Sequence, residues 1–97
     1  MTKQIIASFE KYIEENGQYY PEWYVGIATD PDDRVFNGHG VDRGSGIWIY
    51  WDTPQHTSIV RMIEKYFIEK GAKGGSGGGD NDTQYIYAYK ITPQTRE

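Results

Sequence analysis

The stretch WYVGIATDPDDR, residues 23–34, combines a β-strand, a tight turn and the start of a capped helix. Residues 23–29 predict the strand, because their apolar side chains would alternate between two faces of a sheet. Asp30 can cap the helix, and the proline that follows it suits the first helical position. The first turns of this helix carry Arg34, ten residues after Tyr24 in the strand.

The rest of the chain predicts two longer helices and two further strands rich in aromatic residues. Apolar residues recur at helical spacing over residues 3–16 and again between Thr53, a candidate cap, and about residue 70. The strands are residues 47–51 and residues 83–91, and alternation puts the tyrosines of the last strand on one face. The core stripe of the second long helix is predicted to be Ile59, Val60, Ile63 and Phe67.

A chain of 97 residues with 37% hydrophobic and 15% aromatic content predicts one folded domain, residues 1–97. Helices and strands alternate along it, so we expect an α/β fold of the α+β type. Its sheet would be small, three-stranded and mainly antiparallel, with helices flanking it. Residues 1–17 would form an N-terminal helix and residues 23–91 the core of the domain.

Composition excludes several classes of protein. The chain has no cysteine, so it forms no disulfide and no thiolate metal site. It has no apolar run of membrane-spanning length and no signal-peptide core, and we therefore expect a cytoplasmic protein with no membrane partner. The net charge of −4 argues against a broad nucleic-acid footprint. It leaves room for a small site in which a bound cation offsets negative charge.

Residues 23–34 resemble the second half of the signature of the GIY-YIG nuclease superfamily, in which a Tyr-Ile/Val-Gly strand leads into a helix that carries an arginine. Glu64 lies mid-helix after an aromatic strand, where these nucleases keep their metal-binding glutamate. The resemblance implies a domain that cleaves phosphodiester bonds of DNA with Mg²⁺ or Mn²⁺. In that case Tyr24 helps to activate the attacking water, Arg34 holds the phosphate and Glu64 binds the metal.

The family's first motif, a Gly-Ile-Tyr strand about ten residues before the second motif, is replaced here by a helix and a linker. The last strand of the chain can supply the missing strand. If it pairs antiparallel beside residues 23–29, Tyr87 or Tyr89 would face the same side as Tyr24. We therefore expect a rearranged version of the family's core. Together with the acidic net charge, this departure predicts that nuclease activity is weak or lost.

Each candidate residue also has an ordinary structural interpretation. Tyr24 can be a half-buried strand tyrosine, and Arg34 can form a surface ion pair. Glu64 can pair with Arg61 one helical turn away. His39 can act as a proton shuttle or can be an exposed loop histidine. Many family members carry a histidine or tyrosine four residues after their arginine, whereas His39 follows Arg34 by five.

A second class of function is a non-catalytic binding module. The Tyr/Trp-rich sheet face would bind a protein partner or stack the bases of single-stranded nucleic acid, and the acidic charge favours a protein. The observation that separates the two classes is whether Tyr24, Arg34 and Glu64 converge on one cleft. The glycine-rich residues 74–79 are expected to be mobile and to bind nothing tightly. Two weaker candidates for a site are His56 and Asn81.

Overall fold

The computed structural model describes residues 2–53, 57–74 and 83–96. The predicted α+β fold is confirmed, since a three-stranded antiparallel sheet is flanked by helices. In chain order the elements are helix α1 (Thr2–Glu15), a 3₁₀ turn (Tyr20–Glu22), strand β1 (Trp23–Ala28), a π-helical turn (Asp33–Gly38), strand β2 (Trp48–Asp52), helix α2 (Thr57–Glu69) and strand β3 (Tyr85–Lys90).

The last strand in the chain is the central strand of the sheet, whose order is β1-β3-β2. It runs antiparallel to both neighbours. Tyr24 lies opposite Tyr89, and Gly26 lies opposite Tyr87. The pairing expected from the sequence, in which the last strand lies antiparallel beside residues 23–29, is therefore present. Both Tyr87 and Tyr89 lie on the same face as Tyr24.

The outer edge of β1 is paired with the segment that follows α2. The Lys73 amide donates to the Trp23 carbonyl at 2.8 Å, and the Val25 amide donates to the Lys73 carbonyl at 2.8 Å. Lys73 thereby forms a parallel bridge with Tyr24. The sequence predicted only a connection here. The bridge satisfies backbone groups that an open sheet edge would leave unpaired.

The two faces of the sheet carry two separate clusters. Helices α1 and α2 pack on one face, and the buried residues there include Ile5, Phe9, Trp23, Val25, Ile27, Val60, Ile63, Phe67, Ile86 and Ala88. The π-helical turn and the loop after it cover the other face, whose buried residues are Ala28, Val35, Val41, Tyr87 and Tyr89. The alternation predicted for β1 and β3 explains this division, because successive side chains of a strand point to opposite faces.

The Thr53 hydroxyl has a partner that the sequence did not predict, and other predictions about the segments beside α2 lie outside the described residues. The Thr53 hydroxyl, expected to cap α2, donates to the Gln84 carbonyl at 2.8 Å and so joins the end of β2 to the start of β3. Residues 54–56, including His56, and residues 75–82, including Asn81 and most of the glycine-rich segment, lie outside the described ranges. Across the described ranges, no helix combines the length and apolar character needed to cross a membrane.

Candidate active site

Tyr87 lies at the middle of the central strand, and its side chain is buried. Its ring extends across Gly26 of the neighbouring strand. A Cβ atom placed on Gly26 would stand 2.6 Å from Cζ of Tyr87, closer than any real contact allows. The glycine of the Tyr-Val-Gly stretch is therefore required, because the phenol of Tyr87 occupies the space of a side chain.

Three tyrosine rings are grouped on this face of the sheet. The ring of Tyr24 stacks on that of Tyr89 with 5.3 Å between centroids, and on that of Tyr87 with 6.4 Å. The alternation of side chains along β1 and β3 thus brings three phenols together, although Tyr24 lies more than sixty residues before Tyr87 and Tyr89 in the sequence. Stacking of this kind holds each ring in a defined orientation.

His39 completes this group, and it is buried with 6% of its surface exposed. Its Nε2 atom lies 2.8 Å from the hydroxyl oxygen of Tyr87, and its Nδ1 atom lies 3.0 Å from that of Tyr89. Its ring centroid is 4.6 Å from that of Tyr24. The interpretation of His39 as an exposed loop histidine is therefore wrong.

The π-helical turn explains how His39 reaches the tyrosines. The His39 amide donates to the Arg34 carbonyl at 2.9 Å, which spans five residues where an α-helical turn spans four. The wider turn absorbs the extra residue that separates His39 from Arg34. Asp30 starts this helical segment as predicted, because its carboxylate accepts the Asp33 amide at 3.2 Å.

The pKa of the Tyr87 hydroxyl depends on its burial and on the side chains of Tyr24, Arg34 and Glu64. Burial raises the pKa of Tyr87, and the neighbouring Tyr24 raises it further. The Arg34 guanidinium opposes this by its charge and by a hydrogen bond to the phenol, while the charge of Glu64 adds to the increase in the pKa. The pKa of Tyr87 on β3 therefore reflects side chains from β1, from the π-helical turn and from α2.

Glu64 is a half-buried carboxylate on α2. Burial raises its pKa, and the charge of Arg61 opposes that change. A carboxylate that has lost part of its hydration gains from a nearby cation, and Mg²⁺ binds through one or two carboxylates while keeping several waters. The described part of the chain contains no cluster of three or more His, Asp or Glu side chains suited to a metal. The role of Glu64 as a metal ligand therefore stays a prediction.

One further group at this site, the main-chain carbonyl of Arg96, could not be found from the sequence. Its oxygen lies 2.5 Å from Nδ1 of His39, and it accepts a hydrogen bond from the Tyr89 hydroxyl at 3.1 Å. Every residue carries a carbonyl, so no residue type marks this one in the sequence. Its position follows from the path of the chain after β3.

A second aromatic group borders the site on the edge strand β2. The rings of Trp48 and Tyr50 stack with 5.7 Å between centroids, and Phe36 meets Trp48 edge-on at 4.9 Å. The guanidinium of Arg43 lies 4.0 Å from the ring centroid of Phe36. These half-exposed rings extend the aromatic surface from the buried tyrosines towards solvent.

Comparison of the chain with protein-family models, with curated proteins and with solved structures finds no match.

Proposed function

We propose that this protein is a GIY-YIG-like nuclease domain that hydrolyses phosphodiester bonds of DNA, with low activity. The observation that carries the proposal is the environment of the Tyr87 hydroxyl. His39 lies within hydrogen-bond distance of it, and Arg34 and Glu64 both shift its pKa. A histidine and a guanidinium at one phenol are groups that acid–base and electrostatic catalysis of phosphodiester hydrolysis can use.

In the proposed reaction a water molecule attacks the phosphorus atom. As the new P–O bond forms, the water loses a proton to the Tyr87 oxygen, and Tyr87 passes its own proton to Nε2 of His39, 2.8 Å away. The bond from phosphorus to the leaving oxygen breaks, and that oxygen takes a proton from solvent. His39 returns its proton to solvent to complete the cycle.

Arg34 would hold the scissile phosphate. Its planar guanidinium suits the phosphate oxygens, and its charge stabilises the negative charge that builds on them. A bound Mg²⁺ or Mn²⁺ ion would supply Lewis-acid stabilisation of the phosphate. Glu64 is the residue that would hold it. Tyr24 stacks against Tyr87 and would maintain the orientation of the attacking group.

The net charge of −4 limits the substrate. Affinity for duplex DNA depends on neutralising many phosphates with Lys and Arg, and an acidic domain neutralises few. We expect a substrate that a partner presents or that has an unusual structure, such as a branched or single-stranded segment.

The test is a cleavage assay on duplex, branched and single-stranded DNA with Mg²⁺ or Mn²⁺. Glu64→Gln and Arg34→Ala are expected to lower the cleavage rate at least about 100-fold. The matched controls are Glu69→Gln on the exposed surface of α2 and Lys11→Ala on the exposed surface of α1. Cleavage that survives both site variants would refute the assignment of the site.

The alternative function is a non-catalytic module that binds a partner through the Trp48 and Tyr50 surface. Their stacked, half-exposed rings on an edge strand favour it, because aromatic side chains are enriched at interfaces. The acidic charge would favour a protein partner over nucleic acid. Absence of cleavage on every substrate, with partner binding that Tyr50→Ala abolishes, would support this module instead.

A further inference from the structure

The segment after β3 turns back over the site and brings the Arg96 carbonyl to His39. Residues 92–95 form a tight turn, in which the Thr95 amide and hydroxyl both donate to the Thr92 carbonyl, at 3.1 and 3.0 Å. The Arg96 amide then donates to the His39 carbonyl at 2.6 Å. The Arg96 side chain donates to the Asn37 carbonyl at 3.0 Å. Residues 92–96 are thus tied to the π-helical turn by main-chain and side-chain bonds.

A carbonyl oxygen only accepts hydrogen bonds. The short distance of 2.5 Å between the Arg96 oxygen and Nδ1 of His39 therefore requires a proton on Nδ1. In the neutral ring the other nitrogen, Nε2, is then the acceptor. The Tyr87 hydroxyl, 2.8 Å from Nε2, is the group that donates to it.

We propose that the main-chain carbonyl of Arg96 is a positioning group that holds His39 in the Nδ1–H tautomer, so that Nε2 faces Tyr87 as a proton acceptor. In many active sites a histidine accepts a proton from a neighbouring group while a third group orients the histidine ring. Here the Arg96 carbonyl would be the orienting group. The effect on cleavage rests on the proposed nuclease function. The tautomer of His39 does not depend on it.

The test measures the tautomer directly, through the ¹⁵N chemical shifts of the His39 ring in labelled protein. The wild-type protein at a pH where the ring is neutral is expected to show a protonated Nδ1 and an unprotonated Nε2. A glycine inserted between Thr95 and Arg96 displaces the carbonyl and is expected to give a mixture of tautomers. The matched control, Gln94→Ala, shortens an exposed side chain of the same segment and is expected to retain the wild-type signals.

A wild-type ring protonated on Nε2 would overturn the proposal, and this outcome needs no variant. An insertion variant that folds and keeps the wild-type tautomer would overturn it as well. Where the wild type cleaves DNA, the insertion is expected to lower the rate at least tenfold and Gln94→Ala to leave it unchanged. If no form cleaves DNA, the proposed nuclease function fails, while the ring signals still decide the role of the carbonyl.

Discussion

Gly26 and Tyr87 face each other across β1 and β3, and the tyrosine ring lies where a side chain at position 26 would stand. The ring can therefore cross the neighbouring strand and present its hydroxyl to His39. A glycine in a strand interior is otherwise unfavourable, since it has no side chain to pack. Here the glycine is needed, because a larger residue at position 26 would overlap the Tyr87 ring.

Gly26→Ala is expected to displace the Tyr87 ring, because the added methyl group would overlap it. Overpacking of this kind destabilises a fold by about 1–3 kcal/mol. Denaturant unfolding measures the loss, and the ¹⁵N signals of His39 report whether its bond to Tyr87 is broken. The control is Gly44→Ala, whose new methyl group would meet Asp42 Oδ1 at an ordinary 3.5 Å. Equal stability of the two variants would contradict the prediction.

Tyr87→Phe is expected to remove the hydrogen bond between the Tyr87 hydroxyl and Nε2 of His39. The loss of one such bond costs about 0.5–1.5 kcal/mol of unfolding free energy. If the proposed reaction occurs, cleavage falls by about 10²–10⁴-fold, as for other general acid–base groups. Tyr85→Phe, on the same face of the same strand but half-exposed, makes the same chemical change and serves as the control. A loss of the same size in both variants would argue against a special role for Tyr87.

Asp30→Ala is expected to destabilise the protein by about 0.5–2 kcal/mol, because the Asp33 amide loses its acceptor at the start of the helical segment. The segment also positions Arg34 and His39, so cleavage should fall with it. Asp30→Asn keeps an acceptor oxygen and is expected to restore most of the stability. Thermal unfolding of the three proteins checks the order, and an Asn variant no better than the Ala variant would contradict it.

Glu10 predicts a pH dependence of stability. The Lys70 ammonium, 2.6 Å from its carboxylate, lowers the pKa of Glu10, burial opposes the change, and the Tyr66 hydroxyl also lowers it. Because folding lowers the pKa of Glu10, its ionised carboxylate stabilises the folded protein at neutral pH. That stability is lost as the pH falls from about 4.3, the usual value for Glu, through the folded-state pKa.

The wild type should therefore exceed Glu10→Gln in unfolding free energy at pH 7 by about 0.2–1 kcal/mol, the range for exposed ion pairs. The difference should shrink below about pH 4. Denaturant unfolding between pH 3 and pH 7 measures it. Glu14→Gln, on the exposed surface of α1, is the control. A difference that stays constant over this range would show that the Glu10 pair contributes nothing through its charge.

Much of the fold could be predicted because it depends on local patterns. Alternation in residues 23–29 and 83–91 placed the tyrosines on one face and Ile27 and Ile86 on the other, and the structure confirms that division. Asp30 was correctly predicted to cap its helix. The functional roles of Tyr24, Arg34 and Glu64 remain predictions, although their influence on Tyr87 is consistent with them.

The sequence by itself determined the helices, the strands and the two faces of the sheet, since these follow from the spacing of apolar residues along the chain. Only the tertiary structure decided that His39 is buried against Tyr87 and that the Arg96 carbonyl meets it. Both contacts depend on the path of the backbone, through a π-helical turn and a turn after β3. No side-chain pattern encodes a main-chain carbonyl, because every residue has one.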